Sequence, residues 1–286
     1  MAFSVRSGVA VVTGAASGIG AELARQLAAK GCDLALADRN GEQLAAVAAE
    51  ARAKGVKVSE HVLDVADKVD LAGLPAAVLA EHGRVTLLIN NAGVALMGRV
   101  DQITLEEFEW LMDINFWGPV RLTHAFLPTL LKQPAAHIVN VSSVFGICAP
   151  PGQAPYVASK FGVRGFSDSL RHELDGTNVG LTVVHPGGVK TAIATSARVS
   201  AAIDPAFGKE ASEKFNALLM TSARSAAATI LRAVERQAPR VLVGPDAKGA
   251  ELVQRLMPGR YWSLMKTLMG GMGRYIGKPG EAQDHG

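Results

Sequence analysis

Cysteine is scarce in this chain of 286 residues, where Cys32 and Cys148 are the only two. Two cysteines are too few for a disulfide framework, and no metal-ligand spacing accompanies them. No run of about 18 apolar residues suggests a membrane span, and nothing near the N-terminus predicts export. We therefore expect a cytoplasmic protein that holds no metal.

The charge balance is small, with a formal net charge of +3. Because no cluster of Lys and Arg is interleaved with aromatic residues, we expect no nucleic acid partner and predict small-molecule partners instead. No Pro/Ser-rich linker, internal repeat or abrupt change of charge divides the chain. The sequence predicts one large domain over residues 1–249 and a C-terminal helical extension with a tail over residues 250–286.

Strand and helix patterns alternate along the chain. Strands are predicted at residues 8–12, 33–37, 56–65, 87–90, 136–141, 181–185 and 240–244. Helices are predicted at residues 21–30, 42–54, 74–81, 105–131 with a break near Gly118, 156–175 and 222–237. Continuously apolar strands favour a parallel sheet that is covered on both faces. The predicted fold class is therefore α/β, a doubly wound Rossmann fold with a seven-stranded parallel sheet and helices on both faces.

A glycine-rich turn, TGAASGIG over residues 13–20, directly follows the first predicted strand and precedes a helix. Glycines at 14, 18 and 20 let the backbone approach a pyrophosphate, and the helix N-terminus supplies oriented N–H groups. Asp38 ends the second strand, where a carboxylate can accept hydrogen bonds from the adenosine ribose hydroxyls. This arrangement predicts a dinucleotide site.

Tyr156 and Lys160 are spaced to lie one helical turn apart on the same face. A phenol titrates near pH 10, which is too high for a general base at neutral pH. A positive charge about 4 Å away, at an effective dielectric of about 20, favours the phenolate by roughly 4 kcal/mol. We therefore expect the pKa of Tyr156 to be lowered toward neutrality.

Taken together, these segments resemble the ordered motif set of the classical short-chain dehydrogenase/reductase family, from about residue 8 to residue 191. The motifs that carry the resemblance are residues 13–20, Asn91-Ala92-Gly93, Ser143, residues 156–160 and Pro186-Gly187. The resemblance implies an oxidoreductase acting on CH-OH donors, with the catalytic residues Asn115, Ser143, Tyr156 and Lys160.

The implied role of each catalytic residue follows from the family. Ser143 holds the substrate oxygen, and Tyr156 takes or gives the proton as hydride moves to or from a nicotinamide. Lys160 lowers the tyrosine pKa and binds the nicotinamide ribose, while Asn115 holds a helix kink and a water linked to Lys160. Ser142 is expected to point to the other face of the strand and to bond to backbone.

The resemblance also implies a set of cofactor contacts. These are Gly14, Ser17, Gly18, Ile19, Gly20, Asp38, Arg39, Asp64, Val65, Asn91, Ala92, Gly93, Tyr156, Lys160, Pro186, Gly187, Val189 and Thr191. A carboxylate at Asp38 repels a 2′-phosphate, and Ser17 stands where phosphate-preferring relatives often carry Arg or Lys. We therefore predict NAD over NADP, and Arg39 keeps NADP open.

The segment 192–221 corresponds to the mobile lid of the family. Its apolar residues are candidates to cover the substrate: Ile193, Phe207, Phe215, Leu218 and Met220. Cys148 is expected to be a small buried residue beside the pocket, and Lys190 to face solvent. These residues favour an apolar or aromatic secondary alcohol and its ketone. Phe116 and Trp117 are expected in the core.

Apolar residues between 252 and 269 predict a helix with one apolar face. We expect that face to pack on the lid or on another subunit, in preference to a membrane surface. The resemblance implies a homodimer or homotetramer. Two other functions stay open: a dinucleotide-sensing binding module without turnover, and a sugar-nucleotide epimerase or dehydratase.

Overall fold

One sheet of seven parallel strands organises the fold. The computed structural model describes residues 3–191, 193, 196–203, 208–210, 213, 216–217 and 219–268. The strands are β1 (Val9–Thr13), β2 (Asp33–Asp38), β3 (Val58–Val62), β4 (Leu87–Asn90), β5 (Ala136–Val141), β6 (Val179–Pro186) and β7 (Arg240–Val243). Their order is β3-β2-β1-β4-β5-β6-β7, and each neighbouring pair is parallel. The predicted doubly wound fold is confirmed.

Helices cover both faces of this sheet. In chain order they are α1 (Gly18–Ala29), α2 (Gly41–Arg52), α3 (Lys68–His82), α4 (Leu105–Met112), α5 (Gly118–Leu130), α6 (Ala154–Glu173), α7 (Ala223–Glu235), α8 (Pro245–Leu256) and α9 (Tyr261–Leu268). Buried residues of α1, α2 and α7 form an apolar core with one face. Buried residues of α3, α5 and α6 form a second core with the other face.

The strand order reverses between β1 and β4, and this reversal positions the site. From β1 the chain continues outward through β2 and β3, and then crosses to β4 on the opposite side of β1. Val12 is level with Leu36 of β2 and with Ile89 of β4, so the carboxyl ends of the three strands meet at one edge. A crevice outside that edge is where doubly wound sheets bind ligands.

Several predicted element bounds differ from the structure, and local hydrogen bonds explain two of the differences. Helix α3 starts at Lys68 rather than residue 74, because the Asp67 carboxylate accepts from the N–H groups of Val69 and Asp70 and caps the helix there. Strand β3 ends at Val62 rather than residue 65. The Asp64 carboxylate accepts from the Ala66 N–H at 2.8 Å, a local turn that ends the extended conformation.

The predicted break in the long helix is present but takes an unexpected form. Between α4 and α5 lies a π-helical turn, Asp113–Trp117, immediately before Gly118. The extra residue per turn shifts the helical phase, so Asn115 is fully buried while Trp117 is 46% exposed. The core assignment of Trp117 was therefore wrong. Its ring lies at the surface, 5.6 Å from the Arg121 guanidinium.

Within the described part of the chain, no helix combines the length and the apolar character that crossing a bilayer requires.

Candidate active site

The glycine-rich turn forms a cradle between β1 and α1. Gly14 and Gly18 have φ of 65° and 54°, a conformation that glycine adopts without strain. A Cβ on Gly20 would overlap the carbonyl of Gly14, so the turn closes only with glycine there. Helix α1 begins after Ser17 with no side-chain cap, and the N–H groups of its first turn can therefore bind phosphate. The residues present fit a dinucleotide pyrophosphate.

Thr13 and Asn91 fasten this cradle to the end of β4. The Asn91 side chain donates to the carbonyls of Thr13 and Gly14 at 2.9 and 3.2 Å. The backbone N–H groups of Asn91 and Ala92 donate to the buried Thr13 hydroxyl at 3.0 and 3.1 Å. Thr13 was quoted in the motif but not predicted as a site residue, and its position at the strand end is the signal that could have marked it.

Asp38 lies at the end of β2 and supports the cradle from the side. Its Oδ2 accepts from the Ala16 N–H at 3.0 Å, and its Oδ1 accepts from the Asn40 N–H at 2.9 Å. Each carboxylate oxygen has a further lone pair with which to accept a ribose hydroxyl. Arg39 is exposed next to it.

Asp64 and Val65 lie beyond the end of β3, at the same edge of the sheet. Asp64 is half-buried, and Val65 is buried against Gly118. The edge therefore offers a carboxylate and an apolar side chain at two of the positions predicted to contact the cofactor.

Asn115 is held inside the fold by the backbone of Val94. Its Oδ1 accepts from the Val94 N–H at 2.8 Å, and its Nδ2 donates to the Val94 carbonyl at 2.9 Å. A Cβ on Gly93 would lie 3.2 Å from Asn115 Oδ1 and 3.5 Å from Lys160 Nζ. Asn115 from the π-helical turn and Lys160 from α6 therefore both lie next to the segment that follows β4.

Ser143 follows β5 and caps a short 3₁₀ turn, Val144–Gly146. Its Oγ accepts from the Phe145 N–H at 3.1 Å, which leaves the hydroxyl proton available for another acceptor. Ser142 instead donates to the Lys160 carbonyl at 2.8 Å. A bond from Ser142 to backbone was expected, although the partner is on helix α6 rather than local.

Tyr156 and Lys160 lie on α6 as predicted, but the pKa of the phenol shifts in the opposite direction to the one expected. Burial raises the pKa of Tyr156, and a hydrogen bond from the Ser143 hydroxyl offsets part of that rise. Burial also lowers the pKa of Lys160 to about 8. The Nζ of Lys160 donates to the Val141 carbonyl at 3.0 Å, so the ammonium is held toward β5.

The loop after β6 completes the opposite wall. Pro186 and Val189 are buried, and a Cβ on Gly18 would meet the Thr191 methyl at 3.1 Å. Thr191 therefore lies against the glycine-rich turn. Gly187 is followed by Gly188, whose N–H donates to Asp246 Oδ2 at 2.5 Å.

Asp246 is a site residue that sequence reasoning missed. It belongs to the first turn of α8, far along the chain from the loop it holds. Its carboxylate lies so close to Gly187 that a Cβ there would overlap it. The sequence contains no local signal of this contact.

A cleft of about 550 Å³ opens beside the N-terminus of α1. It is lined by Gly18, Glu22, Arg25, Lys190, Thr191, Asn216, Leu219 and Ala223. The cleft adjoins the glycine-rich turn rather than Tyr156, so it marks the phosphate end of the site. Lys190 is exposed at its rim, as expected.

Few of the predicted lid residues can be placed. Ile193 is half-buried and Met220 is 65% exposed. Phe207, Phe215 and Leu218 lie outside the described residues. Next to Met220, Thr221 pairs with Val189, which ties the end of this segment to the loop after β6.

The C-terminal helices contact the loop that follows Ser143. The N–H of Ala149 donates to the Tyr261 hydroxyl at 2.9 Å, and the Cys148 thiol donates to the Ala250 carbonyl at 3.6 Å. Cys148 is buried, as expected, and burial raises the pKa of its thiol to about 11. In contrast, Leu252 and Leu256 of α8 are exposed. The extension therefore borders the site through both α8 and α9, while some apolar side chains of α8 are exposed.

A doubly wound parallel sheet with a glycine-rich turn after its first strand and a Ser, Tyr and Lys group at its edge defines a class of dinucleotide-dependent oxidoreductases. The sequence model of the short chain dehydrogenase family matches residues 8–201, and the chain belongs to that family.

Similar proteins span nearly the whole chain. A putative oxidoreductase SadH of Mycobacterium tuberculosis is 41% identical over 259 residues, which cover 90% of this chain and 93% of the relative. A short-chain dehydrogenase/reductase of Burkholderia phymatum, solved in complex with NAD, is 30% identical with a TM-score of 0.82, covering 90% of this chain and 95% of that one. A metagenomic short-chain oxidoreductase, solved in complex with NADP, is 32% identical with a TM-score of 0.68 and covers 84% and 98%.

Proposed function

We propose that this protein interconverts a neutral secondary alcohol and its ketone with NAD, and that Tyr156 is the general acid/base. The observation that carries the proposal is the placement of Ser143 next to the half-buried Tyr156, whose phenol pKa the Ser143 hydroxyl lowers, with Lys160 Nζ over the Tyr156 ring. A hydroxyl and a phenol that converge in this way can share one substrate oxygen. This fits the oxidoreductase family to which the chain belongs.

Each side chain has a separate task in the proposed reaction. The Phe145 N–H orients Ser143, whose hydroxyl donates a hydrogen bond to the substrate oxygen and keeps its own proton in both directions. Tyr156 gives its proton to the carbonyl during reduction or removes the hydroxyl proton during oxidation. Lys160 is anchored on Val141, and its remaining N–H groups can bind a ribose hydroxyl. A bound nicotinamide ring supplies the hydride donor or acceptor.

The preference for NAD is proposed from Asp38. Its carboxylate is fixed at the end of β2 by two backbone N–H groups, so it cannot move away from a 2′-phosphate without breaking them. Repulsion of a phosphate follows. The solved relatives include one NAD complex and one NADP complex, which supports a nicotinamide dinucleotide without selecting between the two.

The proposed substrate is apolar or aromatic. The Phe145 ring stands edge-on to the Tyr156 ring, with centroids 6.1 Å apart, so the phenol is bordered by an apolar surface. Cys148 lies buried in the same loop. Such a lining favours a hydrocarbon beside the reacting carbon over a carboxylate.

We further propose a homodimer or homotetramer in a reducing compartment. Leu105, Trp117 and Phe161, on the face formed by α4 to α6, each expose more than a third of their surface. Burying them between copies would remove this apolar area from water. Both cysteines are free. Light scattering on the purified protein tests the assembly, since a monomer at all concentrations would contradict it.

The decisive experiment follows absorbance of the reduced nicotinamide with NAD or NADP and a panel of neutral secondary alcohols and their ketones. Alcohols are tested with NAD or NADP, and ketones with NADH or NADPH. We expect turnover with the NAD couple that Tyr156→Phe abolishes while NAD binding persists. If NAD binds but no alcohol or ketone reacts, or if Tyr156→Phe leaves the rate unchanged, a dinucleotide-sensing binding module accounts better for the protein.

A further inference from the structure

His185 is a fully buried titratable side chain that the proposed reaction does not use. It lies near the end of β6, in register with Leu242 of β7, immediately before Pro186. Its Nδ1 is 2.9 Å from the backbone carbonyl oxygen of Ser143. The residue therefore links the strand that leads to the cofactor loop with the residue proposed to hold the substrate oxygen.

The partner of His185 fixes its tautomer. A backbone carbonyl only accepts hydrogen bonds, so the Nδ1 atom must carry the proton. Nε2 is buried and has no hydrogen-bond partner among the residues that the structure describes. Burial, helped by the nearby Arg240 and Arg164 guanidinium groups and opposed by the bond to the Ser143 carbonyl, lowers the pKa of His185 to about 4, so the ring is neutral at pH 7. Asp168 acts in the opposite direction but is paired with Arg164.

The carbonyl of Ser143 accepts hydrogen bonds from two donors, and the two bonds together hold this peptide group in one orientation. The N–H of Gly146 also donates to this carbonyl, at 2.9 Å, and closes the 3₁₀ turn. The same turn delivers the Phe145 N–H to Ser143 Oγ. Because the two bonds inside the turn are local, they set its shape but do not fix its position relative to the sheet. The bond from His185 is the one that ties the Ser143 carbonyl to β6.

We propose that His185 is a positioning residue, which through its Nδ1–H holds the Ser143 backbone so that the Ser143 hydroxyl meets Tyr156 and the substrate oxygen. This inference rests on the proposed role of Ser143. The bond lies inside the protein, where no water replaces a lost donor, so its removal frees the turn to move. A displacement of about 1 Å at a catalytic group costs roughly 100-fold in rate.

Three substitutions separate this role from simple packing. His185→Asn retains an N–H that is the same number of bonds from Cβ as Nδ1 and can still donate to Ser143. His185→Gln places its N–H one bond further from Cβ, where Nε2 of the histidine lies. His185→Leu carries no donor. All three are compared with the wild-type protein and with Ser143→Ala.

Two measurements are made on each folded variant. Steady-state kinetics with the best alcohol should show kcat reduced roughly 10- to 100-fold in the Leu and Gln variants. The kcat of the Asn variant should be near that of the wild type. The NAD dissociation constant should be unchanged within about twofold in the Leu and Gln variants. The Tyr156 phenol is titrated by subtracting the titration of Tyr156→Phe from that of each protein, a measurement that needs no turnover. Loss of the Ser143 bond should raise the pKa of Tyr156 in the Leu and Gln variants, as in Ser143→Ala.

The outcomes are distinguishable. Equal kcat and equal Tyr156 titration in the wild type and the Leu variant would overturn the positioning role, and so would an Asn variant no better than the Gln variant. If the Leu variant does not fold, the Asn and Gln pair still decides the question. Absence of turnover in the wild type overturns the proposed function alone, since the phenol titration continues to report whether His185 positions Ser143.

Discussion

The Nζ atom of Lys160 lies 5.6 Å from the centroid of the Tyr156 ring, over the ring. The ring electrons stabilise an ammonium over the face of a phenol. An ammonium in this position stabilises the phenolate oxygen less than an ammonium in direct contact with that oxygen would. Burial opposes charge on both groups. The pair is therefore held in the less charged state, with a protonated phenol and a readily neutralised amine.

Lys160→Met should change how stability depends on pH. The pKa of Lys160 is about 8 in the folded chain and about 10.4 in the unfolded chain. Between these pH values the unfolded state binds more protons, so this lysine makes the free energy of unfolding rise with pH, by about 3 kcal/mol in total. Denaturant unfolding from pH 7 to 10.5 should show the rise in the wild type relative to Lys160→Met. Parallel plots of the free energy of unfolding against pH for the two proteins would contradict the prediction. Lys190→Met, a change at an exposed lysine, is the control.

Asp38→Ala should shift the cofactor preference toward NADP. The change removes the negative charge at the ribose and the acceptor for its hydroxyls, and we expect the ratio of kcat/KM for NAD over NADP to fall about 10-fold or more. Asp38→Asn keeps one acceptor oxygen without the charge and should lie between. An unchanged ratio in Asp38→Ala would show that this carboxylate does not select the cofactor.

Gly20→Ala should damage the cradle, whereas Gly165→Ala should not. The added methyl at residue 20 overlaps the Gly14 carbonyl, so the backbone must move, at a cost of about 1–3 kcal/mol in stability and most of the NAD affinity. Gly165 is exposed on α6, and apart from its own helix backbone no atom of the described residues lies within 4 Å of where its Cβ would be. Alanine there should stabilise the helix by about 1 kcal/mol. Thermal unfolding and NAD titration of both variants provide the check.

Asp246→Ala should weaken cofactor binding from a distance. Without its carboxylate, the Gly188 N–H loses its partner and the loop after β6 is released. We expect the NAD dissociation constant to rise about 5- to 10-fold. Calorimetric titration measures it, and Lys248→Ala, an exposed change on the same helix, should leave it unchanged. Equal affinities for the wild type and Asp246→Ala would show that the loop needs no such support.

Tyr261→Phe should act on the substrate side alone. The variant keeps the ring and removes the oxygen that accepts from Ala149, so the loop after Ser143 gains freedom. We expect KM for the alcohol to rise about 2- to 10-fold, with the NAD dissociation constant unchanged. A wild-type KM would mean that α9 does not support the substrate loop. A chain ending at residue 258 should show at least as large a change.

Much of the site follows from the sequence because its groups are local in the chain. The glycine-rich turn and Asp38 each stand at the end of a strand whose apolar residues are unmistakable, and a parallel sheet brings those ends to one edge. The spacing of Tyr156 and Lys160 likewise fixes their shared helix face. The structure brings all of these residues to the same edge of the sheet, whereas their roles in binding and catalysis are proposals that the experiments above address.

Other features depend on contacts between distant parts of the chain. The π-helical turn at Asn115 is stabilised by the backbone of Val94, and the outward position of Trp117 follows from it. The pKa of Tyr156 was predicted in the wrong direction because the sequence gives the helical spacing of Lys160 but neither the burial of the pair nor the pull of the Val141 carbonyl.

The sequence by itself determined the fold class, a doubly wound parallel sheet, and the residue types at the carboxyl edge of that sheet. Periodicity, glycine positions and helical spacing are properties of neighbouring residues, and each has one stable structural outcome. Only the tertiary structure decided which donors and acceptors pair and which titratable groups are buried. Folding of distant segments brings three pairs of partners together: His185 with Ser143, Asp246 with Gly188, and Tyr261 with Ala149. Burial, which sets the free-energy cost of a charge, exists only once the core has closed.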